Sequence, residues 1–127
     1  MDFPTRFRTA RNRTGLSRLK AAKLIGVNRE TVGRWESGKR HPEISKLKKI
    51  HEILGADALP HTNNDLPGRM KLFRMKMGYQ IRKASGLVKK NQCWWIQVEG
   101  GELSLSDIEK QTLVEILYNE ECRVTSS

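Results

Sequence analysis

Displaced by 63 residues, the chain lines up with itself without a gap: residues 3–54 match 66–117 at 13 of 52 positions. Composition alone would give roughly three. Several identities fall on structural markers. Gly15/Gly78 and Gly38/Gly101 are helix stops, Asn28/Asn91 is a helix cap, and Glu52-Ile53-Leu54 recurs as Glu115-Ile116-Leu117 at the end of an apolar stripe. A chain of 127 residues built this way is held to two small units. A unit of about 60 residues buries only about 60% of its unfolded-chain surface, so each core must be small. The expectation is a tandem duplication of one helical unit.

The first copy shows its punctuation. Pro4 and Thr5 start a helix to about Arg13, with Phe7 and Ala10 inward and the arginines outward, and Gly15 stops it. Ser17 caps a helix through about Ile25, with Ala21, Ala22, Leu24 and Ile25 inward. Gly26 stands where a tight turn needs positive φ. Asn28 caps a third helix, 29–36, with Val32 and Trp35 inward, and Gly38 ends it. Pro42 opens a fourth, with Ile44, Leu47, Ile50, Ile53 and Leu54 on one face. The stretch GADALPHTNNDLP reads as a polar linker.

The expected architecture is all-α: a domain over 1–55, a linker over 56–67, a degenerate second domain over 68–120 and a tail over 121–127. One local pattern competes. WWIQVEGGELSL also fits a β-hairpin at 94–105, with Trp94, Ile96, Val98, Leu103 and Leu105 on one face and Gly100-Gly101 as the turn. The helical register holds on both sides of this stretch and is preferred. Ser106 and Glu109 form a capping box before the last helix in either case.

Charge narrows the function. The net charge of +10 attracts polyanions, nucleic acid before anionic membranes. Residues 1–64 carry 14 Lys/Arg against 6 Asp/Glu, a net of +8, and 65–127 carry 10 against 8, a net of +2. Within the second half, residues 69–90 hold eight basic residues and no acid. No apolar run approaches the ~18 residues a bilayer span needs, and MDFPTRFRTARNRTG lacks the apolar core of a signal peptide. A cytoplasmic protein is expected. Cys93 and Cys122 form no CxxC pair and read as reduced thiols. His41, His51 and His61 make no metal-ligand pattern with them. No Ser/His/Asp grouping and no glycine-rich phosphate loop occurs, so neither an enzyme nor a metal or cofactor protein is expected.

The third helix carries the chemistry. With Val32 and Trp35 inward, Arg29, Glu30, Gly33 and Arg34 face out. A helix fits the DNA major groove with its N-terminal outward residues at the base edges. Arg29 and Arg34 can each hold guanine O6 and N7 with two hydrogen bonds, about 1–3 kcal/mol of discrimination per pair. Glu30 either accepts from cytosine N4 or pairs with Arg34 one turn on. Gly33 leaves room for a base or a thymine methyl. Arg18, opening the second helix, suits a phosphate. Asn28 and Thr31 reach phosphate or sugar, and Lys39 and Arg40 follow the glycine stop toward the DNA backbone. Trp35 is assigned to the core and Glu36 to local backbone.

These residues carry a resemblance. GLSRLKAAKLIGVNRETVGRWESGKRHP is similar to the Cro and lambda-repressor type of helix-turn-helix, also called XRE-like, over residues 5–55. Gly15-Leu16-Ser17, Ala22, Gly26-Val27, Trp35-Glu36-Ser37-Gly38-Lys39 and Pro42 stand in family register. Arg18 departs from the family's usual glutamine and Ala21 from a larger aliphatic. The resemblance implies a sequence-specific regulator of transcription that binds a double-stranded DNA operator. It further implies a repressor of phage or mobile-element type acting by promoter occlusion, and a homodimer reading half-sites about 34 Å apart. The rival class is an interaction module, an antirepressor or adaptor whose helix-turn-helix units bind another regulator.

Along the repeat, Arg29, Glu30, Gly33 and Arg34 become Gln92, Cys93, Ile96 and Gln97, while Thr31 and Val32 become Trp94 and Trp95. Trp95 takes the core place of Val32. Trp94 and Ile96 are then expected as an exposed apolar partner surface, and Arg69, Lys71, Arg74 and Lys76 as a phosphate-binding strip. The second unit is expected to dimerise or dock on the first. Its alternative is a second reading head, with Gln92 or Gln97 bidentate to adenine.

Overall fold

Every regular element among the described residues is helical. The computed structural model describes residues 2–125, which form two units divided between His61 and Thr62. The first holds α1 (Phe3–Arg13), α2 (Arg18–Ile25), α3 (Arg29–Ser37) and α4 (Ile44–Leu54), followed by a 3₁₀ turn at Ala56–Ala58. The second holds α5 (Leu66–Met77), α6 (Ile81–Leu87), α7 (Gln92–Glu99) and α8 (Asp107–Thr125).

In the first unit the caps sit where short polar side chains meet orphan amides. Asp2, Ser17 and Asn28 accept from the backbone N–H three residues on. The left-handed Gly26 (φ 91°) and Gly38 (φ 80°) end α2 and α3. α4 starts two residues after Pro42, with Glu43 at its cap position and no side-chain cap bond. Phe7, Val32 and Ile50 are completely buried, and the Phe7 and Trp35 rings meet edge to face at 5.8 Å.

Three expectations need correction here. Leu24 is 54% exposed, not inward. The buried side of α2 is the narrow stripe Ala21, Ala22 and Ile25, and Leu24 lies about 100° round the helix from Ile25. Arg11 is buried rather than outward. The stretch assigned to a polar linker contributes core, because Ala58 and Leu59 are wholly buried and Arg6 Nε donates to the Leu59 carbonyl at 2.6 Å. A pair of apolar residues inside a polar, proline-bearing segment has too little periodicity to stand out.

The helices of the second unit begin 63 residues after those of the first, at 66, 81, 92 and 107 against 3, 18, 29 and 44. The caps follow the same spacing. Asp65 accepts from Gly68 N, and Asn91 from Trp94 N at 2.8 Å, as Asn28 does from Thr31 N. Gly68 permits close approach of the preceding chain, since a Cβ there would fall 1.9 Å from the Asn63 carbonyl oxygen. No hairpin forms at 94–105. Residues 92–99 are helical, because the Asn91 cap starts a helix and Trp95 and Val98, one turn apart, share a buried side. Gly101, with φ 78°, belongs to the helix exit.

The two cores exchange sizes. Val32 and Trp35 in α3 become Trp95 and Val98 in α7, large for small at each place, and both members of the second pair are buried. The Trp95 indole N–H is satisfied by Glu99 Oε2 at 2.6 Å. α8 is 19 residues long against 11 for α4. Its extension is held by Glu120, which accepts from the Tyr79 hydroxyl at 2.6 Å and from Arg123 Nε at 2.7 Å. The helix therefore continues through what was expected to be a tail, of which residues 126–127 lie outside the described residues.

Candidate nucleic-acid interface

α3 presents one buried and one open side. Val32 and Trp35 are 0% and 2% exposed, while Arg29, Glu30 and Arg34 are exposed and Gly33 is half-exposed. No ion pair joins Glu30 to Arg34 among the described residues. The Glu30 carboxylate lies in the first turn of α3, where the helix dipole favours an anion. Asn28 Oδ1 accepts from Thr31 N and Thr31 Oγ1, at 2.8 and 2.7 Å. Both residues expected to reach phosphate or sugar are thus also the pair that starts the helix.

Gly33 has no internal reason to be glycine. A Cβ built on it meets nothing within 4 Å, and its φ is not in the left-handed region. Inside a helix, glycine costs about 1 kcal/mol relative to alanine.

Arg18, expected on a phosphate, is half-exposed at 53% of its side chain, with Nε 3.4 Å from Glu36 Oε1. That carboxylate is 2% exposed and already takes two bonds from Arg11, Nε to Oε2 at 2.7 Å and Nη2 to Oε1 at 3.1 Å. Arg11 Nη1 also donates to the Leu16 carbonyl at 2.9 Å. Glu36 therefore bonds two arginines rather than local backbone. Two cations against one anion leave the cluster positive, with Arg18 at its wet edge. Sequence reasoning missed this contact, although the repeat held a signal for it. Arg11/Arg74 and Glu36/Glu99 are identities at the same spacing, and Arg74 and Glu99 make the same pair, Nε to Oε2 at 2.8 Å.

The starts of α2 and α3 enclose an open recess of about 610 Å³ lined by Arg11, Ser17, Arg18, Leu19, Arg29, Glu30 and Gly33. It gathers four of the residues singled out from sequence. Leu19, 49% exposed there, was not foreseen. Lys39 and Arg40 are exposed just past Gly38, and their backbone N–H groups both donate to the Arg34 carbonyl. That tie fixes them at the far end of α3. Among the described residues no His/Cys/Asp/Glu group is placed to hold a metal, and no helix is long and apolar enough to cross a membrane.

In the second unit Arg69, Lys71, Gln92, Ile96 and Gln97 are exposed. Arg74 does not belong to a surface strip, because its side chain is 13% exposed and paired with Glu99. Trp94 is half-buried against that unit's core, with Lys90 Nζ 5.6 Å from its ring centroid. The expected apolar surface on α7 shrinks to Ile96, 52% exposed. Cys93 and Cys122 are exposed and form no disulfide.

Residues 7–58 match the helix-turn-helix family model. Over 53 residues the chain is 34% identical to an SPbeta prophage-derived HTH-type transcriptional regulator of Bacillus subtilis (strain 168), covering 42% of this chain and 49% of that one. Over 54 residues it is 44% identical to a protein of Archaeoglobus fulgidus named as an HTH-type transcriptional regulatory protein, covering 42% and 17%. The chain thus spans about half the length of one relative and about a sixth of the other. No solved structure matches it significantly.

Proposed function

We propose that the first unit, whose residues 7–58 match the helix-turn-helix family model, reads double-stranded DNA with α3 in the major groove. The observation that carries this is the open side of α3: two exposed guanidinium groups, an exposed carboxylate and a central glycine that nothing inside the unit requires. Gly33 thins the outward face of α3 and lets its backbone approach the base edges. Arg29 and Arg34 hold guanine edges with paired hydrogen bonds. Glu30, unpaired with Arg34, accepts from cytosine N4. Arg18, Lys39 and Arg40 bind phosphate and set the register, with Asn28 and Thr31 contributing beside the cap. Trp35 and the Arg11–Glu36 pair keep the helix in place without touching DNA.

The whole chain then acts as a cytoplasmic regulator of transcription, a repressor of phage or mobile-element type that occludes a promoter. The prophage origin of one relative supports that assignment. As a homodimer it reads half-sites about 34 Å apart. Selection of bound duplexes from a pool randomised over some 20 base pairs tests the reading. Enrichment of one sequence is expected. A pool that stays random after repeated rounds defeats it, and leaves the interaction-module class in its place.

A further inference from the structure

We propose that the second unit is a second DNA-binding head, gripping phosphate ahead of its recognition helix rather than behind it. The proposal goes beyond the reading of the first unit and rests on it only for the way a helix enters the groove. It starts from the turn between α6 and α7. In the first unit the corresponding turn is Gly26-Val27: Gly26 has φ 91°, and Val27 N–H closes on the Ala22 carbonyl at 2.9 Å. Sixty-three residues on, Lys89-Lys90 repeats the left-handed residue and the closing bond, although Lys89 N–H bonds the Gly86 carbonyl three residues back where Gly26 N–H bonds the Ala22 carbonyl four back. Lys89 has φ 58°, and Lys90 N–H closes on the Ser85 carbonyl at 2.9 Å.

Lys89 is the one non-glycine residue with positive φ among the described residues. Glycine takes this conformation without strain and a lysine does not. Strained non-glycine positions gather at functional sites. Lys89 is exposed, so the strain sets a cation in solvent, two residues before the cap of α7.

The neighbours follow the same displacement. Behind α3 stand Lys39-Arg40, but behind α7 stand Glu102-Leu103, so the grip at that end is lost. Ahead of α7 stand Lys89 and Lys90, and Arg82 is exposed near the start of α6. Lys83 Nζ lies 4.4 Å from the Tyr79 ring centroid, and Lys90 shares its charge with the Trp94 ring and with Glu109. Lys89 and Arg82 are therefore the arms for phosphate. On α7, Gln92 and Gln97 stand where α3 has Arg29 and Arg34, and both are exposed. A carboxamide matches adenine N6 and N7 as a guanidinium matches guanine. Ile96, in the place of Gly33, offers an apolar surface to a thymine methyl. The ligand class is duplex DNA rich in A·T pairs.

The test uses the full chain and duplexes selected from a randomised pool. Lys89→Gly keeps the left-handed turn and removes the ammonium. We expect an unchanged or higher melting temperature, weaker binding, and a salt-dependence slope reduced by about 1. Gln92→Ala with Gln97→Ala should erase an enriched A·T stretch and leave the stretch read by Arg29 and Arg34. If both variants select and bind as the parent does, the proposal fails. It fails equally if Ile96→Ala dissolves an oligomer while the selected sequence stays whole, since the face then serves a protein partner. Loss of selection in Arg29→Ala and Arg34→Ala reports on the first unit alone.

Discussion

At the centre of α3 a glycine lowers helix stability by about 1 kcal/mol against alanine, with no neighbour within 4 Å of its Cβ position to require it. Gly33→Ala should therefore stabilise the first unit by up to about 1 kcal/mol in a denaturant titration, and at the same time weaken binding to the selected duplex. A variant that gains stability and binds undiminished contradicts the assigned role. Arg11 makes the converse case. Its side chain and that of Glu36 are 11% and 2% exposed, and removing one partner of a buried pair costs about 3–5 kcal/mol. Arg11→Ala should lower the unfolding free energy of the first unit by that order; a loss below about 1 kcal/mol, the worth of a surface pair, would place the pair in water. Sequence reading sent Arg11 outward because an arginine on a helix is exposed by default. Its partner lies 25 residues away, beyond any local pattern.

Among the elements, α7 was the stretch with two readings. Alternation favoured a hairpin and register favoured a helix, and the Asn91 cap with the Trp95/Val98 stripe decides it. The caps Ser17, Asn28 and Asn91 and the stops Gly26 and Gly38 were legible because each is a single residue doing a local task, whereas the caps Asp2 and Asp65 were not foreseen. The exchange of Val32/Trp35 for Trp95/Val98 was half legible: the core place of Trp95 follows from the alignment, whereas its bond to Glu99, one turn on within α7, has no counterpart at Val32. Trp95→Ala should cost the second unit about 3–5 kcal/mol, and an intact thermal transition would show that this indole is not core.

The extension of α8 was not legible, because Glu120 meets Tyr79 only once the helix is folded. The bonds from Arg123 and then Tyr79 hold the Glu120 carboxyl at about 2, below its usual 4.5. A depressed carboxyl stabilises the fold fully above its unfolded value, and this contribution disappears as pH falls from about 4.5 through about 2. Burial, followed by the bond to Glu120, pushes the Tyr79 hydroxyl up to about 12. That contribution is present below about 10 and lost as pH rises through about 12. Glu120→Gln should flatten part of the acid-side loss of stability in the second unit, followed by circular dichroism; an unchanged acid slope removes the triad from the account.

For the whole molecule, the +10 charge and the 63-residue register were readable at once, because both are sums over many residues. Burial of Ala58 and Leu59 was not, since two apolar residues in a polar stretch carry no period. The charge makes a global prediction. The logarithm of the binding constant should fall linearly with the logarithm of salt, by about 0.9 per phosphate neutralised. A flat response would mean that the cations do not meet phosphate.

The most direct measurement is the base-by-base specificity of the full chain beside Arg29→Ala, Arg34→Ala and Lys39→Ala. We predict that each of the first two relaxes preference at one base pair, by roughly 5–150-fold (about 1–3 kcal/mol). Lys39→Ala should weaken every sequence alike. Unaltered preferences in both Arg29→Ala and Arg34→Ala would contradict the reading of α3 as the helix in the groove.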